Sequence, residues 1–324
     1  MPLIPNAARP SGSPRTPAVS HRRRSLRSGR YRDAAVSDRA LGGQFTSCAY
    51  NAFGAGPSFG AGVTKAHHSM AVTDNVPLLE FDPDPVGVVD PAVSLKSVRD
   101  TIPERVVMCF YAEILAALPE EAERVGELEA AHGIHPIWRV RRHGHDVAVF
   151  HPGVGAPLAA GFLEEAIVMG ARKVVACGGC GTLTSDVRPG DIVVPTSAVR
   201  DEGTSFHYLP PSREVEADPA GVAAAVSLLN ERAVPFRVGK VWTTDAIYRE
   251  TRKRVAARRA EGCLVVEMEA AAFFAVARFR GVRFAQLLYG GDDLSGDLWD
   301  PRAWTTSPSR ARTFALAVEL ATRL

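Results

Sequence analysis

The 324-residue sequence has the composition of an ordinary globular protein, with 46% hydrophobic and 23% charged residues and a formal net charge of +2. No apolar run reaches the length of about 18 residues that a membrane-spanning helix needs, so we expect no membrane partner. The five cysteines are an odd number, which favours a reducing cytoplasm over a secreted disulfide framework. Cys177 and Cys180 form a Cys-x-x-Cys pair, but no second pair has ligand spacing. We therefore predict no metal site and no cofactor.

The first 69 residues differ from the rest in composition. They are rich in Pro, Ser, Arg and Gly, and residues 1–40 contain nine Arg against two Asp. Because such a segment cannot bury enough apolar surface to offset its ordering entropy, we predict a disordered basic extension. An alternative is that translation starts at Met70, and a rival hypothesis is that the basic residues contact nucleic acid, although we do not expect nucleic acid as a partner. Residues 70–103 are predicted to be an extended lead-in, and 104–324 the catalytic domain.

Strands and helices alternate along the predicted catalytic domain. In its first half the pattern predicts strands at 106–111, 137–141, 146–151, 174–176 and 192–194, and helices at 112–124, interrupted at Pro119, and 157–169, ending at Gly170. In its second half it predicts strands at 236–242 and 283–289, and helices at 219–231, 250–261, 270–280 and 309–323. This alternation is typical of an α/β fold: a single domain with a mixed, largely parallel central sheet flanked by helices.

A glycine cluster directly follows the predicted strand at 174–176. Gly178, Gly179 and Gly181 carry no side chains, so a ligand can approach the backbone closely there. Glycines at a strand end also serve purely structural turns, so the cluster alone is a weak functional signal.

Three stretches together resemble the nucleoside phosphorylase family, which includes uridine phosphorylases, purine nucleoside phosphorylases and nucleosidases. They are 173–195 with the glycine cluster, 265–272 with Glu267-Met268-Glu269, and 287–294 with Gly-Gly-Asp-Asp. The resemblance covers roughly 104–324, and residues 200–208 are similar to the uridine phosphorylase branch. It implies cleavage of the N-glycosidic bond of a nucleoside by a homo-oligomer, from dimer to hexamer.

The resemblance also implies substrate-binding and catalytic residues. Glu269 corresponds to the carboxylate that binds ribose hydroxyls, Met268 packs against the sugar, and Glu267 belongs to the same motif. Asp292 matches the acid that protonates the leaving base, although Asp293 is adjacent and a shift of one residue stays open. Their plain structural alternatives are a helix N-terminal Glu, a core Met and a turn Asp.

The nucleophile end departs from the family pattern. Phosphorylases carry a Gly-Asp-Pro-x-Arg loop after the first strand and an Arg before the glycine cluster, whereas this sequence has 110–113 without Gly or Arg, and Ala176. The family's Ser or Thr is Gly179. Glu113 lies where nucleosidases place the Glu that activates water. Inorganic phosphate as co-substrate and water therefore both stay open as nucleophiles. Alternative cations for phosphate are Arg139, Arg141 and Arg142.

Two loop residues resemble base and ribose contacts of the family. His207 lies in the loop after residue 200, and Tyr248 lies in the base-pocket segment. The uridine-specific Gln and Arg of that segment are here Thr251 and Lys253, so uracil selectivity is not predicted. Because several family residues are missing, the alternative function is a degenerate sensor that binds a nucleoside or nucleotide without cleaving it.

Overall fold

The computed structural model describes residues 76–302 and 308–324. The predicted disorder of 1–69 lies outside these residues. From 76 to 103 the chain forms only short helical segments: single 3-10 turns at Pro77–Leu79 and Lys96–Val98, and helix α1 at Pro91–Ser94. Asp90 caps α1 by accepting the backbone N–H of Ala92 at 2.8 Å.

Ten strands of the described chain form one mixed sheet. They are β1 (Arg105–Cys109), β2 (Glu123–Ala130), β3 (Gly133–Arg142), β4 (His145–Phe150), β5 (Lys173–Thr182), β6 (Ile192–Asp201), β7 (Glu214–Glu216), β8 (Phe236–Thr244), β9 (Cys263–Glu267) and β10 (Arg283–Asp293). β5 pairs in parallel with both β1 and β10, and β6 with β8. β10 also pairs with β6, and β9 pairs with both β8 and β5. The strands β5, β10, β6, β8 and β9 therefore form a closed ring.

Six longer or site-forming helices cover this sheet. They are α2 (Ala112–Ala116), α3 (Ala156–Met169), α4 (Pro219–Glu231), α5 (Arg252–Ala260), α6 (Ala270–Arg280) and α7 (Ser309–Ala321). Helices α3 and α6 pack on one face of the sheet, and α4 and α7 on the other. The predicted α/β architecture, a mixed sheet flanked by helices, is confirmed. Within the described residues, no helix is long and apolar enough to cross a bilayer.

The predicted helix at 112–124 is wrong over its second half. Helix α2 ends at Ala116, and the chain then enters β2, which pairs antiparallel with β3. Pro119 cannot donate a helical hydrogen bond, and β2 gains its backbone partners from a strand that follows later in the chain. Helical periodicity within a short stretch gives no information on pairing with a later strand. For this reason β2 was not predicted from the sequence.

The glycine cluster lies inside a strand and not after it. β5 runs to Thr182, with Gly178 opposite Leu288 and Gly179 opposite Tyr289 of β10. A Cβ atom at Gly179 would lie 3.2 Å from the Tyr289 ring, so glycine lets this ring lie directly against the strand. The extended β5 and β10 carry the cluster and Asp292 to the same edge of the sheet.

Helix α4 approaches the sheet at a glycine. A Cβ atom at Gly221 would lie 2.1 Å from the carbonyl oxygen of Phe284 in β10, far inside contact distance. By contrast, a Cβ atom at Gly161, on the exposed side of α3, would meet nothing within 4 Å. Gly221 therefore sets the distance between α4 and β10, the strand that carries Asp292.

We expect Gly221→Ala to lower the free energy of unfolding by roughly 1–3 kcal/mol, because helix and strand must separate. The control Gly161→Ala should instead raise it by roughly 0.5–1 kcal/mol, since alanine favours an exposed helix interior. Urea denaturation of both variants measures the difference. Equal effects of the two substitutions would contradict the packing described for α4.

Candidate active site

A cavity of about 710 Å³ opens where several strands end at the same edge of the sheet. Its wall includes Glu113 after β1, Gly178–Gly181 of β5, Val266–Glu269 at the end of β9, and Asp292 near the end of β10. Crevices beyond the carboxyl ends of strands are the usual ligand sites of open α/β sheets. The structure therefore brings together most of the residues selected from the sequence.

Glu267 joins β8, β9 and α6 through its buried carboxylate. One oxygen accepts the Thr243 hydroxyl at 2.6 Å, and the other accepts the backbone N–H groups of Glu269 and Ala270 at 2.8 and 2.7 Å. Thr243 in turn accepts the N–H of Ala271 at 3.0 Å. Burial raises the pKa of Glu267, and these donors oppose the shift. Glu267 borders the cavity, but its hydrogen bonds are those of a helix cap.

Glu269 lies two residues after Glu267. It is the N-cap residue of α6 and is 7% exposed. Its Oε1 accepts the backbone N–H of Gly155 at 2.6 Å, which joins the loop before α3 to the cavity wall. Burial raises the pKa of Glu269, and the negative charge of Glu267 raises it further. Met268, which lies between these two residues in the sequence, is half-buried and also lines the cavity.

Asp292 and Asp293 point to different surroundings. Asp292 lines the cavity, and its Oδ2 accepts the indole N–H of Trp299 at 2.7 Å. Asp293 pairs with Arg302 and accepts the N–H of Ser295 at 2.7 Å. Although burial raises the pKa of Asp293, these contacts lower it overall. Of the two adjacent carboxyls, Asp292 is the one that faces the cavity.

Glu250 is a cavity residue that sequence reasoning missed. It is half-buried at the end of a 3-10 turn, Ile247–Arg249, and burial together with the charge of Asp292 raises its pKa to about 7. Among residues 76–302 and 308–324, its side chain has no hydrogen bond or ion pair. The available signal was an acidic residue in the segment that also contains Tyr248, which lines the cavity mouth and is 96% exposed.

Arg310 is a second missed residue. From the first turn of α7, its Nη1 donates to Oε1 of Glu113 at 2.8 Å and its Nε donates to the Tyr289 hydroxyl at 3.0 Å. Burial raises the pKa of Glu113, but the hydrogen bond and charge of Arg310 lower it overall. Because α7 is far away in sequence, only the fold brings this arginine to the loop after β1.

Gln286 of β10 also lines the cavity and was not selected from the sequence. Its side chain is 3% exposed, and neither amide atom has a hydrogen-bond partner among the described residues. Buried amides are normally satisfied, so this group is suited to a polar ligand or to solvent within the cavity. Gln286 pairs in register with Ala176, the position where the family carries an Arg.

His207 is not brought to the cavity. It is exposed at the end of a 3-10 turn, Thr204–His207, and does not line the cavity. The segment around it is held by buried Arg200, which donates to Ser205 at 2.9 Å and to the carbonyls of Pro210 and Leu209 at 2.7 and 3.1 Å. The arginine in the stretch 200–208 is therefore buried and structural. Although this stretch is similar to uridine phosphorylases, its His207 does not contact the cavity.

The cysteines and histidines give no metal centre in the described part of the chain. Cys177 and Cys180 are buried free thiols, and burial raises the pKa of both. In residues 76–302 and 308–324, no group of three or more His, Cys, Asp or Glu side chains is placed to hold a metal ion.

Comparisons with known proteins show which family the chain belongs to. The profile of the phosphorylase superfamily matches residues 105–321. A guanosine phosphorylase of Halorubrum lacusprofundi is 33% identical over 157 residues, which are 48% of this chain and 65% of that protein. A uridine phosphorylase of Klebsiella aerogenes is 26% identical over 233 residues, 65% of this chain and 92% of that protein.

Two further comparisons agree with these. A DeoD-type purine nucleoside phosphorylase of Myxococcus xanthus is 30% identical over 181 residues, covering 55% of this chain and 73% of that protein. The crystal structure of a Vibrio fischeri uridine phosphorylase shares the fold, with a TM-score of 0.60 and 21% identity over 73% of this chain and 95% of its own. The chain belongs to the phosphorylase superfamily.

Proposed function

We propose that the protein cleaves the N-glycosidic bond of a purine nucleoside with inorganic phosphate, giving the free base and a pentose 1-phosphate. The observation that carries this proposal is the composition of the cavity wall. One wall combines a buried carboxyl, Glu269, with an arginine, Arg310, and with a separate pair of carboxyls, Asp292 and Glu250. These groups match the needs of the sugar, the phosphate and the base respectively.

The sugar is the part that Glu269 is suited to hold. Burial and the charge of Glu267 raise the pKa of Glu269 to about 8, so its ionised form grows as the pH rises towards that value. That carboxylate accepts hydrogen bonds from neighbouring hydroxyls and stabilises the positive charge that develops on the sugar as the bond to the base breaks. Because Glu269 is fixed by Gly155 and by the start of α6, little reorganisation is needed during the reaction. Met268 offers an apolar surface beside it.

The base is the part that Asp292 and Glu250 are suited to contact. A departing base gains negative charge, so a carboxylic acid that donates a proton or a hydrogen bond assists its release. A pKa of about 7 lets Glu250 hold or give up a proton near neutral pH. Two carboxyls in the same wall also favour a base whose edge presents N–H donors.

A purine base agrees better with this wall than uracil does. Thr251 and Lys253, at the positions of the uridine-specific Gln and Arg, do not line the cavity, and Thr251 instead caps α5 by accepting the N–H of Arg254 at 3.4 Å. Guanine presents neighbouring N1–H and N2–H donors that one carboxylate can accept together. The relatives named guanosine and purine nucleoside phosphorylases support the same choice.

Phosphate is favoured over water as the nucleophile by the surroundings of Glu113. Arg310 lowers the pKa of this carboxyl, which makes it a weaker base for activating water. The same arginine provides a positive charge for an anion. The relatives compared above are named phosphorylases, which supports phosphorolysis as well.

The first experiment incubates the purified protein with a panel of purine and pyrimidine nucleosides, with and without phosphate, and identifies both products by chromatography. We expect guanosine or inosine to give free base and ribose 1-phosphate only when phosphate is present. Free ribose formed equally without phosphate would support a nucleosidase. Binding of nucleosides without any release would support the sensor alternative.

Replacing the sugar-binding carboxylate tests its assignment. Glu269→Gln should lower kcat/KM by roughly 100-fold, because about 3 kcal/mol of charge-assisted hydrogen bonding is lost. Its control is Glu165→Gln, which removes a half-buried carboxyl of α3 whose pKa is raised by burial but which does not line the cavity. Circular dichroism checks that both variants fold. Unchanged kinetics of Glu269→Gln would remove the assignment.

The pH dependence tests Glu250. If its carboxylate accepts the N–H groups of guanine, kcat/KM for guanosine should fall as the pH drops through about 7, where Glu250 takes up a proton. Adenosine lacks the N1–H donor, so the ratio of kcat/KM for guanosine to that for adenosine cancels the titration of phosphate and of Glu269, which both substrates share. Glu250→Gln should flatten this ratio against pH. If the ratio does not change with pH in the unaltered protein, Glu250 is not the carboxylate that accepts the N–H groups of guanine.

A further inference from the structure

The charge of the cavity wall is strongly uneven. Among the described residues that line it, Arg310 is the only basic side chain. The carboxyl side chains of the same wall are those of Glu113, Glu250, Glu267, Glu269 and Asp292. A phosphate ion entering this cavity is repelled by each of these carboxyls that is ionised, and only a cation can offset that repulsion. An anion subsite in this wall therefore depends on Arg310.

Arg310 is held in a defined orientation. Its side chain is 13% exposed, its Nε donates to the Tyr289 hydroxyl at 3.0 Å, and its guanidinium carbon lies 5.3 Å from the centre of the Tyr111 ring. Stacking on an aromatic ring and a hydrogen bond at Nε fix the plane of the guanidinium. The edge that contacts Glu113 is then directed, as bidentate recognition of an oxyanion requires.

Gly179 contributes indirectly to this orientation. The Tyr289 ring lies where a side chain at position 179 would be, with a Cβ atom there only 3.3 Å from the Tyr289 hydroxyl oxygen. A larger residue would push the ring, and the hydroxyl that holds Arg310, out of place. The glycine of β5 therefore positions the cation through Tyr289.

In this structure, Glu113 occupies the edge of the Arg310 guanidinium that an oxyanion would use. Its carboxylate accepts from Nη1 at 2.8 Å, yet its side chain is 51% exposed and can turn into solvent. An exposed carboxylate is easily exchanged for another anion, since water solvates it as it leaves. One contact of Arg310, the ion pair with Glu113, is thus replaceable by another anion.

We propose that Arg310 is the phosphate-binding residue of the reaction proposed above, and that Glu113 is an internal carboxylate that competes with phosphate for its guanidinium. This inference rests on the proposed phosphorolysis. The arginines considered from the sequence do not replace Arg310: Arg139, Arg141 and Arg142 do not line the cavity, and Arg139 pairs with Glu123 at the surface.

The two residues should then have opposite effects on phosphate. Arg310→Gln should raise KM for phosphate by roughly 10- to 100-fold, the loss expected for charge-assisted hydrogen bonds. Glu113→Gln should lower KM for phosphate severalfold, because the competing negative charge is removed. In both variants KM for the nucleoside should change little, since neither residue belongs to the sugar or base groups.

The experiment measures initial rates while phosphate and nucleoside are varied separately, for the unaltered protein and both variants. Arg312→Gln is the matched control: it removes the same charge two residues further along α7, from an exposed side chain that contacts the carbonyl of Gly190. Arg310→Lys keeps the charge without the bidentate geometry and should give an intermediate KM. An unchanged phosphate KM in Arg310→Gln, or an equal rise in nucleoside KM, would overturn the proposal.

Direct binding separates this proposal from the reaction on which it rests. If no nucleoside is phosphorolysed, the proposed function fails, and titration of the unaltered protein with inorganic phosphate, followed by phosphorus NMR, still tests the subsite. Binding that is weakened in Arg310→Gln and strengthened in Glu113→Gln supports it. Absent binding, or equal binding by all variants, overturns it. Free ribose lost specifically in Glu113→Gln would instead make Glu113 the base of a hydrolase.

Discussion

The buried carboxylate of Glu267 is the interaction on which the site depends. By accepting the Thr243 hydroxyl and the first N–H groups of α6, it joins a strand, the end of its neighbour and a helix at one point. A buried charge is tolerated only when donors satisfy it, and the N-terminus of a helix is a favourable place for it. The position of Glu269, two residues later, follows from this junction, and so does the way α6 leaves the sheet.

A second constraint is the concentration of carboxyls around one arginine. Carboxyls that are close together and partly dry disfavour each other's ionisation, which is why the pKa values of Glu269 and Glu250 are raised while that of Glu113, beside Arg310, is lowered. One cavity thus contains groups of the same chemical type that hold protons differently near neutral pH. Glu250 and Glu269 can hold a proton near neutral pH, whereas Glu113 beside Arg310 stays ionised, so the wall offers both proton donors and a fixed negative charge.

Part of this site was predictable from the sequence, and the rest was not. The resemblance of three short motifs to a known family indicated Glu269, Asp292 and the glycine cluster. They meet because each motif lies near the end of a strand at the same edge of the sheet. Arg310 comes from the last helix and reaches Glu113 only through tertiary packing, so no local pattern indicates it. The second half of the predicted helix at 112–124 failed for the same reason: β2 takes its partners from β3.

The indole of Trp299 has a consequence for the order of events at the site. Its N–H donates to Asp292 at 2.7 Å, and the residue lines the cavity while being 61% exposed. A base that uses the same carboxyl oxygen has to displace the indole on entry, and the indole can return as the base departs. In the proposed reaction, Trp299 would therefore compete with the departing base for Asp292, which would weaken retention of the product and favour turnover over tight product inhibition.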